Sequence, residues 1–130
     1  MTENEIATNV MDASFFIHRE LGPGLLESVY EVILAKYLTD MGMTIERQAL
    51  VPICFQGIVF DEGFRADIIV EKKLIIELKS VEHLQPVHSK QLLTYLRLTG
   101  CQLGLLINFG EYLMKDGFKR VVNGLEACRF

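Results

Sequence analysis

The stretch FRADIIVEKKLIIELKS, residues 64–80, sorts its side chains by parity. Phe64, Ala66, Ile68 and Val70, then Leu74, Ile76 and Leu78, fall on one face. Arg65, Asp67 and Ile69, then Ile75, Glu77 and Lys79, fall on the other. A period of two is the signature of a strand, and the charged break at Glu71-Lys72-Lys73 reads as a turn. The prediction is a β-hairpin with a fully apolar inner face. A slip of one residue would carry that whole apolar set to the opposite side, so it is excluded.

With a three-residue loop, Val70 faces Leu74 and Asp67 falls opposite Glu77, their Cβ atoms about 4.5–5.5 Å apart. A slip of two residues leaves the two acids as diagonal neighbours. Like charges so placed repel unless something neutralises them. Lys79 projects on the same side as Glu77, two residues on. Clustered hard oxygen ligands suit Mg²⁺ or Mn²⁺. A lysine beside them can orient a water and stabilise developing negative charge. The chemistry this supports is attack of a metal-activated water on a phosphodiester. The alternative is a solvated strand face whose ion pairs are worth ~0–1 kcal/mol.

The rest of the chain frames this hairpin. Ile6, Val10, Ala13 and Ile17 form a helical stripe over residues 3–20, broken at Leu21-Gly22-Pro23-Gly24. A second helix is predicted over 25–41, with Gly42 as its C-cap. From Thr44 to Phe60, β-branched and aromatic residues predict one or two strands with a turn near Gln56-Gly57. Pro86 opens a third helix that Gly100 ends. Leu103 to Asn108 reads as a strand buried on both faces. The segment from Tyr112 to Val122 adds a strand or hairpin around Asp116-Gly117. The order α-α-β-β-β-α-β, with one further strand, predicts an α/β fold: a central mixed sheet flanked by helices. At 130 residues, half of them apolar, the chain makes one domain, 1–130.

Composition excludes several classes. The net charge of −4 argues against a general electrostatic nucleic-acid binder, so any such contact is local or metal-assisted. Lys72, Lys73, Lys90, Arg97, Lys119 and Arg120 are scattered. No apolar run approaches the ~20 residues a bilayer needs, and the acidic start, Met1 to Glu5, is unlike a signal peptide. Cys54, Cys101 and Cys128 form no CxxC pair, which fits a reducing cytoplasm and incidental thiols. His18, His83 and His88 lack zinc spacing. Gly22-Pro23-Gly24 is too short to be a phosphate-binding loop, and Ser80 and Ser89 lack a nucleophile-elbow context.

Three further positions stand out. Glu27 sits in the first turns of helix two, and Gln91 and Tyr95 share one face of helix three. With them, the sequence resembles a known family. Gly24-Leu25-Leu26-Glu27-Ser28-Val29-Tyr30 matches the motif that names the GxxExxY proteins. Asp67 with Glu77-Leu78-Lys79 resembles the split D…ExK core of the PD-(D/E)XK nuclease superfamily. Gln91 to Tyr95 is similar to the QxxxY motif of its RecB-type branch. The resemblance spans residues from about 5 to 125, with Ala66 in place of the proline of the superfamily's name.

It implies a restriction-endonuclease-like α-β-β-β-α-β core and a Mg²⁺- or Mn²⁺-dependent nuclease acting on nucleic acid, with DNA the expected substrate. It implies metal ligation by Glu27 (directly or through water), Asp67, Glu77 and the Leu78 carbonyl. Lys79 becomes the catalytic lysine, Gln91 a positioning group for lysine, water or phosphate, and Tyr95 a lining residue. A non-catalytic module on the same scaffold, binding nucleic acid or protein, is the alternative, and a plain interaction domain is a third reading. A homodimer would suit a small nuclease that grips a duplex.

Overall fold

The computed structural model describes residues 1–123, Glu62 without its side chain. Helix α1 (Glu3–Leu21) starts at a capping box. The Thr2 hydroxyl accepts from the Glu5 N–H at 3.2 Å, and the Glu5 carboxylate accepts from the Thr2 N–H at 2.8 Å. Helix α2 (Glu27–Asp40) follows after the Gly22-Pro23-Gly24 break. Strands β1 (Ile45–Phe55) and β2 (Ile58–Val70) turn at Gln56 and Gly57, whose φ angles are 51° and 79°. Such a pair of positive φ angles is what a two-residue hairpin turn needs. Strand β3 (Leu74–Lys79), helix α3 (Pro86–Thr99) and strand β4 (Leu103–Asn108) form a crossover unit. One helical turn, α4 (Met114–Gly117), leads into strand β5 (Phe118–Val122) where the sequence predicts a strand or hairpin.

The described strands make one mixed sheet in the order β1-β2-β3-β4-β5. Among the described strands only β3 and β4 pair in parallel, and α3 makes the connection between them. This is the predicted element order and architecture. The hairpin register is also as predicted, with Val70 opposite Leu74 and Ile68 opposite Ile76. No described helix is long and apolar enough to cross a membrane. Cys54 and Cys101 are free thiols, and Cys128 lies outside the described residues.

Two points correct the sequence reading. First, β2 runs unbroken from Ile58. Its pairing with β1 shifts between Val51 and Ile53, at Pro52, which has no N–H to donate. Gly63 permits the close approach there, because a Cβ on it would sit 2.0 Å from the Val51 carbonyl oxygen.

Second, the even face is not one surface. Ile68, Val70, Leu74, Ile76 and Leu78 join α1 and α2 in one core through Ile6, Val10, Tyr30 and Leu34. Phe64 and Ala66 instead join Ile75, Leu106, Leu92 and Leu96 on the α3 side. The alternation changes phase at Asp67. Arg47 pairs with Ile68 and Ala49 with Ala66, but Gln48, at φ 49°, drops out of the ladder opposite Asp67. The odd face, which carries Glu77, is thus covered by α3, not solvated.

Candidate active site

β2 and β3 stop pairing just where the two acids begin. The last ladder partners are Ile68 and Ile76. Beyond them the strands part, and side chains take over the backbone hydrogen bonds. The Leu78 N–H donates to Asp67 Oδ2 at 2.8 Å, and the Asp67 N–H donates to Glu77 Oε1 at 3.3 Å. Each carboxylate therefore occupies the gap left by the diverging strand. This lies at the C-terminal end of parallel strands β3 and β4, where open α/β sheets place their ligands.

Glu77 is only 9% exposed. Burial, and then the negative charge of Asp67, push its carboxyl up to about 8. Lys79, half-buried on the same strand, opposes that shift but forms no ion pair among the described residues. Tyr95 is half-buried and stacked on Phe64, with ring centroids 3.7 Å apart and planes 2° from parallel. Its hydroxyl is pushed upward by burial and by the charges of Glu77 and Asp67, so α3 brings it beside the acids. The Leu78 side chain lies in the α1–α2 core, so only its backbone can serve the site.

Glu27 and Gln91 are placed differently. Glu27 opens α2 and is exposed. Its carboxyl is raised first by desolvation, with Asp67 and Glu31 adding to the shift and Lys79 and His88 opposing it. It senses Asp67 electrostatically but does not join the two acids in one cluster. Among the described residues no three His, Cys, Asp or Glu side chains assemble into a group that could hold a metal. Gln91 is exposed on α3, one turn before Tyr95, with no hydrogen bond among the described residues.

The glycine-to-tyrosine spacing of residues 24–30 has a physical meaning here. Gly24 sits at φ 110°, a conformation open to glycine. The Tyr30 hydroxyl donates to the Gly22 carbonyl at 2.5 Å and accepts from the Leu25 N–H at 3.2 Å. Its ring stacks on Phe109 at 4.3 Å. The Ser80 hydroxyl donates to the Leu25 carbonyl at 2.7 Å, fastening the same loop to the end of β3. Glu27 is thereby held at the end of the sheet that carries Lys79. Replacing Tyr30 with Phe is expected to cost about 1 kcal/mol, the worth of an ordinary hydrogen bond, while keeping the stack. Urea denaturation checks this, and a loss above ~3 kcal/mol would mean that the hydroxyl serves the core itself.

Three residues of this region escape sequence reasoning. Glu31 is 5% exposed. Its Oε2 accepts from Arg47 Nε at 3.1 Å and pairs with Nη2 at 3.0 Å, and its Oε1 accepts from Gln48 Nε2 at 2.6 Å. The same Gln48 nitrogen donates to Asp67 Oδ1 at 3.2 Å. The available signals were faint: Glu31 one helical turn after Glu27, and Glu46-Arg47-Gln48 as a polar run in a β-branched strand.

A family model described as the PD-(D/E)XK nuclease superfamily matches residues 4–121. The chain belongs to the PD-(D/E)XK nuclease superfamily. No curated protein and no solved structure gave a match. The superfamily match extends from α1 through β5, so it takes in every element that contributes to the region around Asp67 and Glu77.

Proposed function

We propose that this protein is a Mg²⁺- or Mn²⁺-dependent nuclease that hydrolyses phosphodiester bonds, with DNA as its substrate. Superfamily membership supports nuclease-like chemistry. The observation that carries the reading is the Asp67–Glu77 pair, inserted between parting strands, with Lys79 two residues on along β3 and without an ion pair among the described residues. Two carboxylates forced together in a buried notch are unfavourable to each other, and a divalent cation relieves both causes of the raised Glu77 carboxyl at once.

The donor set therefore fits a hard cation. Asp67 and Glu77 would hold it, with the Leu78 carbonyl as a further oxygen and Glu27 reaching it through water. Such a cation polarises a phosphoryl oxygen and acidifies a water. Lys79 stabilises negative charge as it develops on the attacked phosphate. Tyr95, its ring fixed by Phe64, walls one side. Gln91, exposed on the same helix face, meets the phosphate or the water once substrate is bound. The motifs at residues 24–30 and 91–95 support the GxxExxY and RecB-type affiliations. Free Cys54 and Cys101 agree with a cytoplasmic location.

Mn²⁺ titration by calorimetry at pH 8 tests the reading. The parent is expected to bind, and Glu77→Ala to bind at least about tenfold more weakly. Single-turnover assays with Mn²⁺ on single-stranded, duplex and branched DNA then follow. Equal binding by parent and variant would remove Glu77 from the site. Two observations favour a binding module instead: Glu27 joins no three-ligand group among the described residues, and the chain is acidic. Metal binding without cleavage of any of these substrates would establish that second reading.

A further inference from the structure

Gln48 is a glutamine in a left-handed conformation (φ 49°) within a strand, a state that side chains seldom adopt without a reason. It is rotated out of the β1–β2 ladder while both neighbours stay paired. Its backbone carbonyl is satisfied by Arg65 Nη1 at 3.0 Å. Its side-chain nitrogen then spans two acids, Glu31 Oε1 at 2.6 Å and Asp67 Oδ1 at 3.2 Å. An amide nitrogen carries two hydrogens, so it can donate to both acids while bringing no charge of its own. Glu31 is a fixed anchor, because it is buried and neutralised by Arg47. The other Asp67 oxygen is already held by the Leu78 N–H. Asp67 is thus gripped at both oxygens, from β3 on one side and from α2 through Gln48 on the other.

We infer that Gln48 is a positioning residue: its amide fixes the Asp67 carboxylate for a divalent cation, with Glu31 and Arg47 as its support. The inference rests on the metal-dependent reading above. Partners of this kind characteristically change metal affinity by about 10–100-fold.

Two variants separate amide from backbone. Gln48→Gly accepts the left-handed φ and lacks the amide, and Gln48→Met keeps the length and lacks the donors. Two readouts are taken. The first is Mn²⁺ affinity by calorimetry, expected to fall at least about tenfold in both variants. The second needs no metal: amide hydrogen exchange of Leu78, whose N–H rests on Asp67. Its protection is expected to fall about tenfold, while that of Ile75, Leu105 and Ile107 stays at the parental level.

Unchanged Leu78 exchange in both variants overturns the inference. So does a uniform loss of protection across the sheet, which would make Gln48 a scaffold residue. If the parent binds Mn²⁺ and the variants bind it equally well, the inference also fails. If the parent binds no Mn²⁺, the metal-dependent reading fails instead, and the exchange data still decide whether Gln48 holds Asp67.

Discussion

Lys79→Ala is expected to lower the single-turnover rate of Mn²⁺-supported cleavage about 10³-fold, the range seen when one charged group that acts in the transition state is removed. The side chain ends β3, two residues past Glu77, and has no ion-pair partner among the described residues. A half-buried ammonium with no partner contributes little to the fold, so the melting temperature should stay within a few degrees of the parent. Its charge already reaches both Glu27 and Glu77, since it opposes the upward shift of each carboxyl. Removing a positive charge from beside a cation site does not weaken Mn²⁺ binding, and calorimetry should show equal or tighter binding. The combination of a lost rate, kept affinity and kept stability is specific to a group that acts on the reacting phosphate or water. Cleavage at the parental rate by Lys79→Ala would remove the lysine from the mechanism.

Glu77→Gln is expected to stabilise the metal-free protein at pH 8 and to flatten its pH dependence. The Glu77 carboxyl is raised from 4.5 to about 8 in the fold. Below about 4.5 it is protonated in folded and unfolded chains alike and contributes no pH dependence. Between those values the unfolded chain ionises while the folded chain keeps its proton. Stability is therefore lost progressively as pH rises through this window, and the loss levels off above about 8. At about 1.4 kcal/mol per unit the total is of the order of a few kcal/mol. Glutamine stays neutral throughout and can still accept the Asp67 N–H. Its amide can also donate to Asp67, where the ionised parent repels. Thermal melts at pH 5, 6.5 and 8 check this, with about 3–4 °C per kcal/mol as the scale for a chain of this size. Parallel curves for parent and variant would show that burial does not hold Glu77 neutral. Added Mn²⁺ should restore stability to the parent at pH 8 and leave Glu77→Gln little changed.

Much of this site is legible in local pattern. The alternation from Ile68 to Leu78, broken at Glu71-Lys72-Lys73, specifies the hairpin and its register, because a one-residue slip would reverse every side chain. That register alone puts Asp67 next to Glu77. Pro86 and Gly100 bracket α3 by what each residue does to the backbone, proline at the first helical position and glycine, at φ 76°, just past the last. The four-residue spacing of Gln91 and Tyr95 puts both on one helix face.

Other features depend on what packs against what. Parity says which side of a strand a residue points to, but not what covers that side. The odd face looked polar, yet α3 closes over it, and that closure turns Glu77 from a surface acid into one held near pH 8. The phase change that sends Phe64 and Ala66 to the α3 core occurs at Asp67, opposite Gln48, a residue type with no special turn propensity, so no local signal announces it. The grip on Asp67 joins residues 31, 47, 48 and 67, which lie on three elements and meet only once the sheet and α2 have docked. Local periodicity is set by each segment's own backbone geometry. Burial and long-range hydrogen bonding are set by segments distant in the chain, and those are what give the two acids their chemistry.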